Sequence, residues 1–363
     1  MHTIRLLADD LTGALDSAAQ FTGRLGPVPV FFDLPVSVTT GHGALDAATR
    51  DVSTAEAVFA MQRLEGFLEA SCAFKKIDSL LRGSWAVELA ALVGTGRFRS
   101  AVLAPAFHDQ GRITRGGLQC VCGPDGGWRS LPIDIVAALR DVGLTAQPMR
   151  RPGNDVTAAP GTIVIADSEN AEDLAGIVGW GKILPHPTLW IGSAGLARAL
   201  ADTAPRQDRV VTKPILGLFG SAHPVMREQI ERALRRELAA LCPVTDDVFE
   251  SAERIAQAFD HDRACIAHFP LPEGTAPGAA AVRIAERIET ILPLIPPFPT
   301  LVIAGGETLR AVCQASGAHW LVAESEFSPG VPRSRIVGGR LDGQAVISKS
   351  GAFGTPDFLA TLL

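Results

Sequence analysis

No apolar run in this chain of 363 residues approaches the roughly 18 consecutive residues that a membrane-crossing helix needs. No basic tract occurs either: 33 Lys and Arg stand against 39 Asp and Glu, for a net charge of −6. Neither nucleic acid nor a membrane is therefore an expected partner. Cysteine is sparse. The six are Cys72, Cys120, Cys122, Cys242, Cys265 and Cys313, and only Cys120 and Cys122 lie close together. That scatter gives no disulfide framework and too few neighbouring ligands for a metal site. It fits reduced thiols in a cytoplasmic protein. The first residues run straight into a strand pattern, so no signal peptide is expected. Low-complexity segments and repeats of fixed period are also missing. So is a P-loop, Gly-x-x-x-x-Gly-Lys-Ser/Thr, and no Gly-x-Gly-x-x-Gly follows the first strand of either half. The second absence weighs against a dinucleotide enzyme.

What is present reads as a well-packed α/β enzyme. Hydrophobic residues make up 47% of the chain and charged residues 20%. The length suits about two domains. In the first half, strand patterns at 3–8, 28–32, 100–104, 162–166 and 188–192 alternate with helical patterns at 13–24, 54–70, 84–93, 132–141, 170–178 and 194–202. Such alternation predicts a mostly parallel sheet covered by helices on both faces. A polar, Pro-bearing break follows at 203–209, and a fresh strand starts at 215–219. The expected domains are residues 1–205 and 213–363, with the joint near 203–213. The second half repeats the rhythm: helix 224–240, strand 263–268, helix 279–291, strand 300–304 and helix 307–317. A hairpin-like end at 335–339 and 345–348 closes it.

The most informative segment opens the chain. Ile4, Leu6, Leu7 and Ala8 form a buried strand pattern that ends in Asp9 and Asp10, and Thr12-Gly13-Ala14 starts a helix. Ligands of open α/β sheets bind at the carboxyl ends of strands. Asp10 as a helix N-cap would account for one acid but not for two. A second cluster is Lys75-Lys76-Ile77-Asp78-Ser79-Leu80-Leu81-Arg82-Gly83-Ser84. Charge runs are commonly solvated turns. Here, however, Arg82 can fork onto an anion, Asp78 and Ser79 can bind hydroxyls, and a helix start follows. Arg50 is a candidate anion anchor, although a lone arginine is more often a surface residue. His108 sits in a glycine-bearing loop and is not assigned to catalysis.

Three glycine loops mark the second half: Gly220-Ser221, Ala304-Gly305-Gly306-Glu307-Thr308 and Lys349-Ser350-Gly351. Glycine lets backbone amides approach phosphate oxygens, and a helix N-terminus presents free N–H groups to them. Each loop alone is a weak signal. Three in one domain suggest a nucleotide site.

In this order the segments resemble the four-carbon acid sugar kinase family. The resemblance is carried by Ala8-Asp9-Asp10-Leu11-Thr12-Gly13-Ala14, Lys75–Gly83, Pro105-Ala106-Phe107 and Gln110-Gly111-Arg112. It continues through Gly192–Ala197, Gly305–Thr308, Pro329-Gly330-Val331-Pro332 and Lys349–Gly354. It implies two α/β domains, each a mostly parallel sheet flanked by helices, with the active-site cleft between them. Residues 1–205 would bind the sugar acid, and residues 213–363 would bind ATP. It further implies a Mg²⁺-dependent transfer from ATP to a hydroxyl of threonate, erythronate or a 3-oxo-tetronate. The acid side is expected to comprise Asp10, Arg50, Lys76, Asp78, Ser79 and Arg82, with Asp9 or Asp10 as base or metal holder. The nucleotide side is expected to comprise Ser221, Gly305, Gly306, Glu307, Thr308, Gly330, Lys349 and Gly351. A homodimer stays open as an assembly. Leu80, Ser84, Arg310 and His223 depart from the family pattern. Two other readings therefore stay open: a sugar-acid sensor that has lost transfer, and a hydroxy-acid dehydrogenase.

Overall fold

A computed structural model describes residues 3–34, 41–123, 125–152, 161–221, 223–260, 264–272 and 274–363. The chain forms two compact units, Met1–Arg206 and Gln207–Leu363. In the first, the strands are β1 (Ile4–Ala8), β2 (Val28–Phe31), β3 (Gly43–Asp46), β4 (Cys72–Lys76), β5 (Ser100–Ala104), β6 (Arg112–Arg115), β7 (Leu118–Cys122), β8 (Trp128–Ser130), β9 (Thr145–Met149), β10 (Thr162–Ala166) and β11 (Thr188–Gly192). Its helices are α1 (Leu11–Gln20), α2 (Thr22–Leu25), α3 (Thr54–Leu64), α4 (Trp85–Val93), α5 (Ile135–Asp141), α6 (Ala171–Gly181) and α7 (Ala194–Ala201).

The main sheet runs β2-β3-β1-β4-β11-β5-β10-β9, with every pair parallel. Its strands are almost continuously apolar, as strands buried on both faces must be. Leu7, Leu45, Leu103, Ile165 and Ile191 point to one face and meet Leu89, Leu92, Ile135 and Leu139 from α4 and α5. Each such side chain adds roughly 1.5–3 kcal/mol of burial. From β1 the chain moves outward to β2 and returns through β3, then crosses to β4 on the other side of β1. The switch point of the sheet therefore lies at the carboxyl end of β1, where a ligand crevice is expected. A separate antiparallel sheet, β6-β7-β8, stands beside this sheet.

The second unit contains β12 (Ile215–Phe219), β13 (Ala239–Pro243), β14 (Ala264–His268), β15 (Thr300–Ala304), β16 (Trp320–Ser328), β17 (Val331–Val337) and β18 (Ala345–Lys349). Its helices are α8 (Pro224–Arg235), α9 (Val248–Asp260), α10 (Pro277–Ile291), α11 (Gly306–Ser316) and α12 (Phe358–Leu362). The order β13-β14-β12-β15-β18 is parallel, and β18-β17-β16 continues it antiparallel. Here the switch point lies between β12 and β15.

Several sequence expectations shift. The 13–24 helix divides at Phe21, and the 54–70 helix ends at Leu64 before a 3₁₀ turn, Glu65–Leu68. The 224–240 helix stops at Arg235, and Ala239–Pro243 becomes an edge strand. Lys75 and Lys76, read from sequence as part of a charged cluster ahead of a helix and not as strand, are the last residues of the fully buried β4. Residue 263 of the 263–268 strand lies outside the described residues. All six cysteines are free thiols. Among the described residues no helix is long and apolar enough to cross a membrane.

Candidate active site

The first unit gathers its charged residues at the carboxyl end of three adjacent strands. The parallel register sets Ala8 beside both Asp46 and Lys76. Asp9-Asp10, the turn to Arg50 and the Asp78–Arg82 loop thus emerge side by side. The Arg50 turn is tied down by its own backbone, since Thr49 N and Arg50 N both donate to Asp9 O at 2.9 and 3.1 Å. Gly83 is required here: a Cβ on it would lie 2.9 Å from Arg50 O, and its φ is +79°.

Arg50 organises the cluster. Its Nε and Nη2 donate to the two oxygens of Asp9 at 2.9 and 2.7 Å, and its Nη1 lies 2.7 Å from Asp10 Oδ2. Its Nη2 is 4.0 Å from Asp78 Oδ1. Bidentate pairing of this kind is the strong form of a charge-assisted bond. Burial alone would push the Asp9 carboxyl up, but Arg50, Lys76 and Lys75 outweigh it and hold it below its usual range. Burial likewise opposes the charge on Arg50, and Asp10, Asp9 and Asp78 overcome it and raise its pKa. Arg50 is thus committed to carboxylates of its own chain. Its reading as a candidate anion anchor meets a fork already occupied by Asp9.

Asp10 fills the N-cap role weighed from sequence. Its Oδ1 accepts the Gly13 N–H at 2.9 Å as the N-cap of α1, and its Oδ2 accepts from Thr12 Oγ1 at 2.5 Å. Asp9 is sealed at 3% exposure, whereas the Asp10 side chain keeps 15%. Beside Asp10 lies Lys76. A Cβ on Gly13 would sit 2.5 Å from Asp10 Oδ1 and 2.6 Å from Lys76 Nζ, so any side chain there would displace these two groups. Lys76 is buried, and among the described residues its ammonium makes no hydrogen bond or ion pair. Its neighbour Lys75 points to the opposite face and pairs with Glu88 of α4 at 2.7 Å, both fully buried.

Asp78 is gripped by Arg82, whose Nε and Nη2 donate to it at 2.6 and 3.0 Å. Burial would raise the Asp78 carboxyl, but the Arg82 bond and the Arg50, Arg82 and Lys76 charges hold it well below its usual range. The Arg82 side chain remains half exposed. The Ser79 backbone is fixed by the buried Gln119 of β7. Its Nε2 donates to Ser79 O at 2.7 Å, while Thr114 Oγ1 donates to its Oε1 at 2.8 Å. Nothing in the sequence marks Gln119. Two motifs of the resemblance prove to be packing devices: Ser193 Oγ donates to Ala106 O at 2.6 Å, and a Cβ on Gly195 would meet that oxygen at 2.5 Å. His108 pairs with Ser168 Oγ at 3.1 Å, a structural contact.

The second unit brings its glycine loops together by the same logic. Phe219 pairs with Ala304, and Ala304 with Lys349, so the loops after β12, β15 and β18 start side by side. Gly305 takes φ +111°, and its N–H donates to Lys349 O at 3.0 Å. Gly220 packs on Thr308, where a Cβ would lie 2.2 Å from Oγ1. Gly351 packs on Ser221, where a Cβ would lie 1.9 Å from Oγ. Gly306, Glu307 and Thr308 form the first turn of α11, which has no side-chain cap. Its orphan N–H groups and the positive end of the helix dipole suit an anion. Gly330 forms the β16–β17 turn with φ +74°, and its N–H donates to Glu326 at 3.1 Å. Lys349 is buried at 1% exposure, and its Nζ donates to Ser350 O and Phe353 O, each at 3.0 Å. Lys349, expected on the nucleotide side, thus faces carbonyls of its own loop. Among the described residues no group of three or more His, Cys, Asp or Glu is placed to hold a metal ion.

Comparison with known proteins fits this division. Residues 4–133 match a family described as a sugar-binding N-terminal domain, and residues 216–359 match one described as a nucleotide-binding C-terminal domain. The chain is 30% identical to a D-threonate kinase of Cupriavidus necator, over 96% of this chain and 94% of the relative. It is 28% identical to a D-threonate kinase of Bordetella bronchiseptica, over 98% and 95%. A solved structure of a putative tRNA synthase from Salmonella typhimurium shares the fold, with a TM-score of 0.74 at 18% identity over 100% and 99% of the two chains. A Haemophilus influenzae protein does so with a TM-score of 0.69 at 18% identity over 99% and 98%. The class defined in this way is that of the sugar-acid kinases, built from a sugar-binding and a nucleotide-binding part. The chain belongs to the four-carbon acid sugar kinase family.

Proposed function

We propose that this protein transfers the γ-phosphoryl group of ATP to a hydroxyl of a four-carbon sugar acid, with D-threonate as the first candidate. The observation that carries the reading is the pair formed by Lys76 and Asp10 at the switch point of the first sheet. One is a buried ammonium without a hydrogen-bond or ion-pair partner among the described residues, and the other is a carboxylate held in place by Arg50, Thr12 and the Gly13 amide. The ammonium supplies the charge that a substrate carboxylate needs. Arg82 assists from the half-exposed side of the loop, and Ser79 offers a hydroxyl. Asp10 then accepts the proton of the attacking hydroxyl. Asp9 has both oxygens on Arg50 and serves to fix that guanidinium against Asp10. The substrate side is thereby pre-organised, as phosphoryl transfer requires, because its catalysis is mainly positioning and charge compensation.

ATP is assigned to the second unit, with its phosphates against Gly305, the Gly306–Thr308 turn and Gly351, and with Ser221 alongside. The donors there are backbone amides, and they suit phosphate oxygens. Among the described residues no protein cage is formed for Mg²⁺, so the ion would be carried by the nucleotide phosphates. When bound, it would offset phosphate charge. The test is ADP release with Mg-ATP and a panel of four-carbon acids. Release that depends on D-threonate, erythronate or a 3-oxo-tetronate supports the reading. A thermal shift with acid but no ADP would establish a sensor instead.

A further inference from the structure

Two buried side chains hold the loop after β18: Lys349, from the last glycine loop, and Gln229, which no motif marks. Lys349 Nζ donates to the carbonyls of Ser350 and Phe353, each at 3.0 Å. Gln229, on α8 and fully buried, donates through Nε2 to Phe353 O at 3.1 Å and to Thr355 O at 2.8 Å. The Phe353 carbonyl thus receives both donors. The Oε1 of Gln229 accepts nothing, so this side chain is used only as a donor. Lys349 has no carboxylate within ion-pair distance among the described residues. Its Nζ also lies 5.8 Å from the centre of the Phe358 ring. Burial pushes its pKa down to about 7. Neutral or charged, the amine still has two hydrogens for two carbonyls.

Across a trans peptide, the C=O and the following N–H point in opposite directions. Gripping Ser350 O therefore turns the Gly351 N–H away from Lys349. Gripping Phe353 O does the same for the Gly354 N–H. Neither amide has a hydrogen-bond partner among the described residues. We infer that Lys349 and Gln229 are positioning residues which, by holding these carbonyls, aim the Gly351 and Gly354 amides as anion donors for the nucleotide phosphates. The inference rests on the nucleotide reading above for its ligand, but not for its geometry.

The test uses Lys349→Met, Gln229→Leu and the double variant of the full chain. In nucleotide-free protein, each change should speed hydrogen exchange in the 350–355 segment while leaving the first unit unchanged. Each should weaken ATP binding about tenfold, with D-threonate affinity preserved. The two effects should not add, because both residues hold one loop. Unchanged exchange in a folded Gln229→Leu protein would overturn the inference even if Lys349→Met failed to fold. Additive losses would overturn it too, since Lys349 would then meet the phosphates itself. If the wild-type chain bound no ATP, the proposed function would fall, and the exchange measurement would still decide whether the two residues hold the loop.

Discussion

The two units build their candidate anion sites, each at the carboxyl edge of a parallel sheet, from different materials. The first unit uses side-chain charge. Arg50 links Asp9 and Asp10, Arg82 clasps Asp78, and Lys76 is left without an ion pair among the described residues. The second unit uses backbone. Gly220, Gly305 and Gly351 allow approaches that any Cβ would block or strain, and the buried Lys349 is turned onto carbonyls. Charge arrays are sensitive to chemistry at constant shape. Backbone cradles are sensitive to a single methyl group. The two sites should therefore fail under different substitutions.

Four changes would break or sharpen this contrast, and the largest effect falls on the charge-built side. Asp10→Asn keeps the cap, because Asn caps as well as Asp. It should nonetheless lower kcat by on the order of 10²–10⁴, the worth of a positioned base. The checks are initial rates and an unchanged melting curve, and near wild-type turnover would remove Asp10 from catalysis. Next, Lys75→Met leaves Glu88 alone and fully buried, which should cost about 3–5 kcal/mol of stability by chemical denaturation. Adding Glu88→Leu should recover much of that loss. No loss in the single variant would mean that the pair is not buried as the geometry has it. On the backbone-built side, Gly351→Ala drives a methyl into Ser221. The KM for ATP should rise at least several-fold, with the KM for the sugar acid unmoved.

The smallest effect concerns Asp16, buried on α1. Its carboxyl is raised to about 7 by burial, against the opposing pull of Lys76 and a hydrogen bond from Ser17; Asp10 adds to the rise and Arg50 opposes it. A raised carboxyl contributes stability that is complete below its unfolded pKa of about 3.9 and is lost as pH rises through 7. Denaturation midpoints should therefore fall between pH 4 and 7 in the wild type, and fall less in Asp16→Asn. Parallel pH profiles would contradict the burial.

How much of this was legible in the sequence follows the same contrast. Residue type announced the acids after β1, and apolar runs announced β1, β5, β10, β11, β12 and β15. The strand β4 was hidden because it ends in two lysines. Only their partners explain them, with Glu88 on one face and the site on the other. Sequence also showed that Arg50 was a cation, but not that Asp9 would occupy its fork. The glycine loops were individually weak and gained meaning only when the parallel register aligned Phe219, Ala304 and Lys349. Gln119 and Gln229 carried no signal, because a buried amide is specified by carbonyls distant in sequence that it ends up facing.

The most direct measurement is calorimetric titration of D-threonate and of ATP into Lys76→Met and Gly351→Ala. Lys76→Met should lose most of its acid affinity and keep that for ATP, while Gly351→Ala should show the reverse. Loss of both affinities in either folded variant, or loss of ATP binding in Lys76→Met alone, would contradict the division of the two ligands between a charge-built and a backbone-built site.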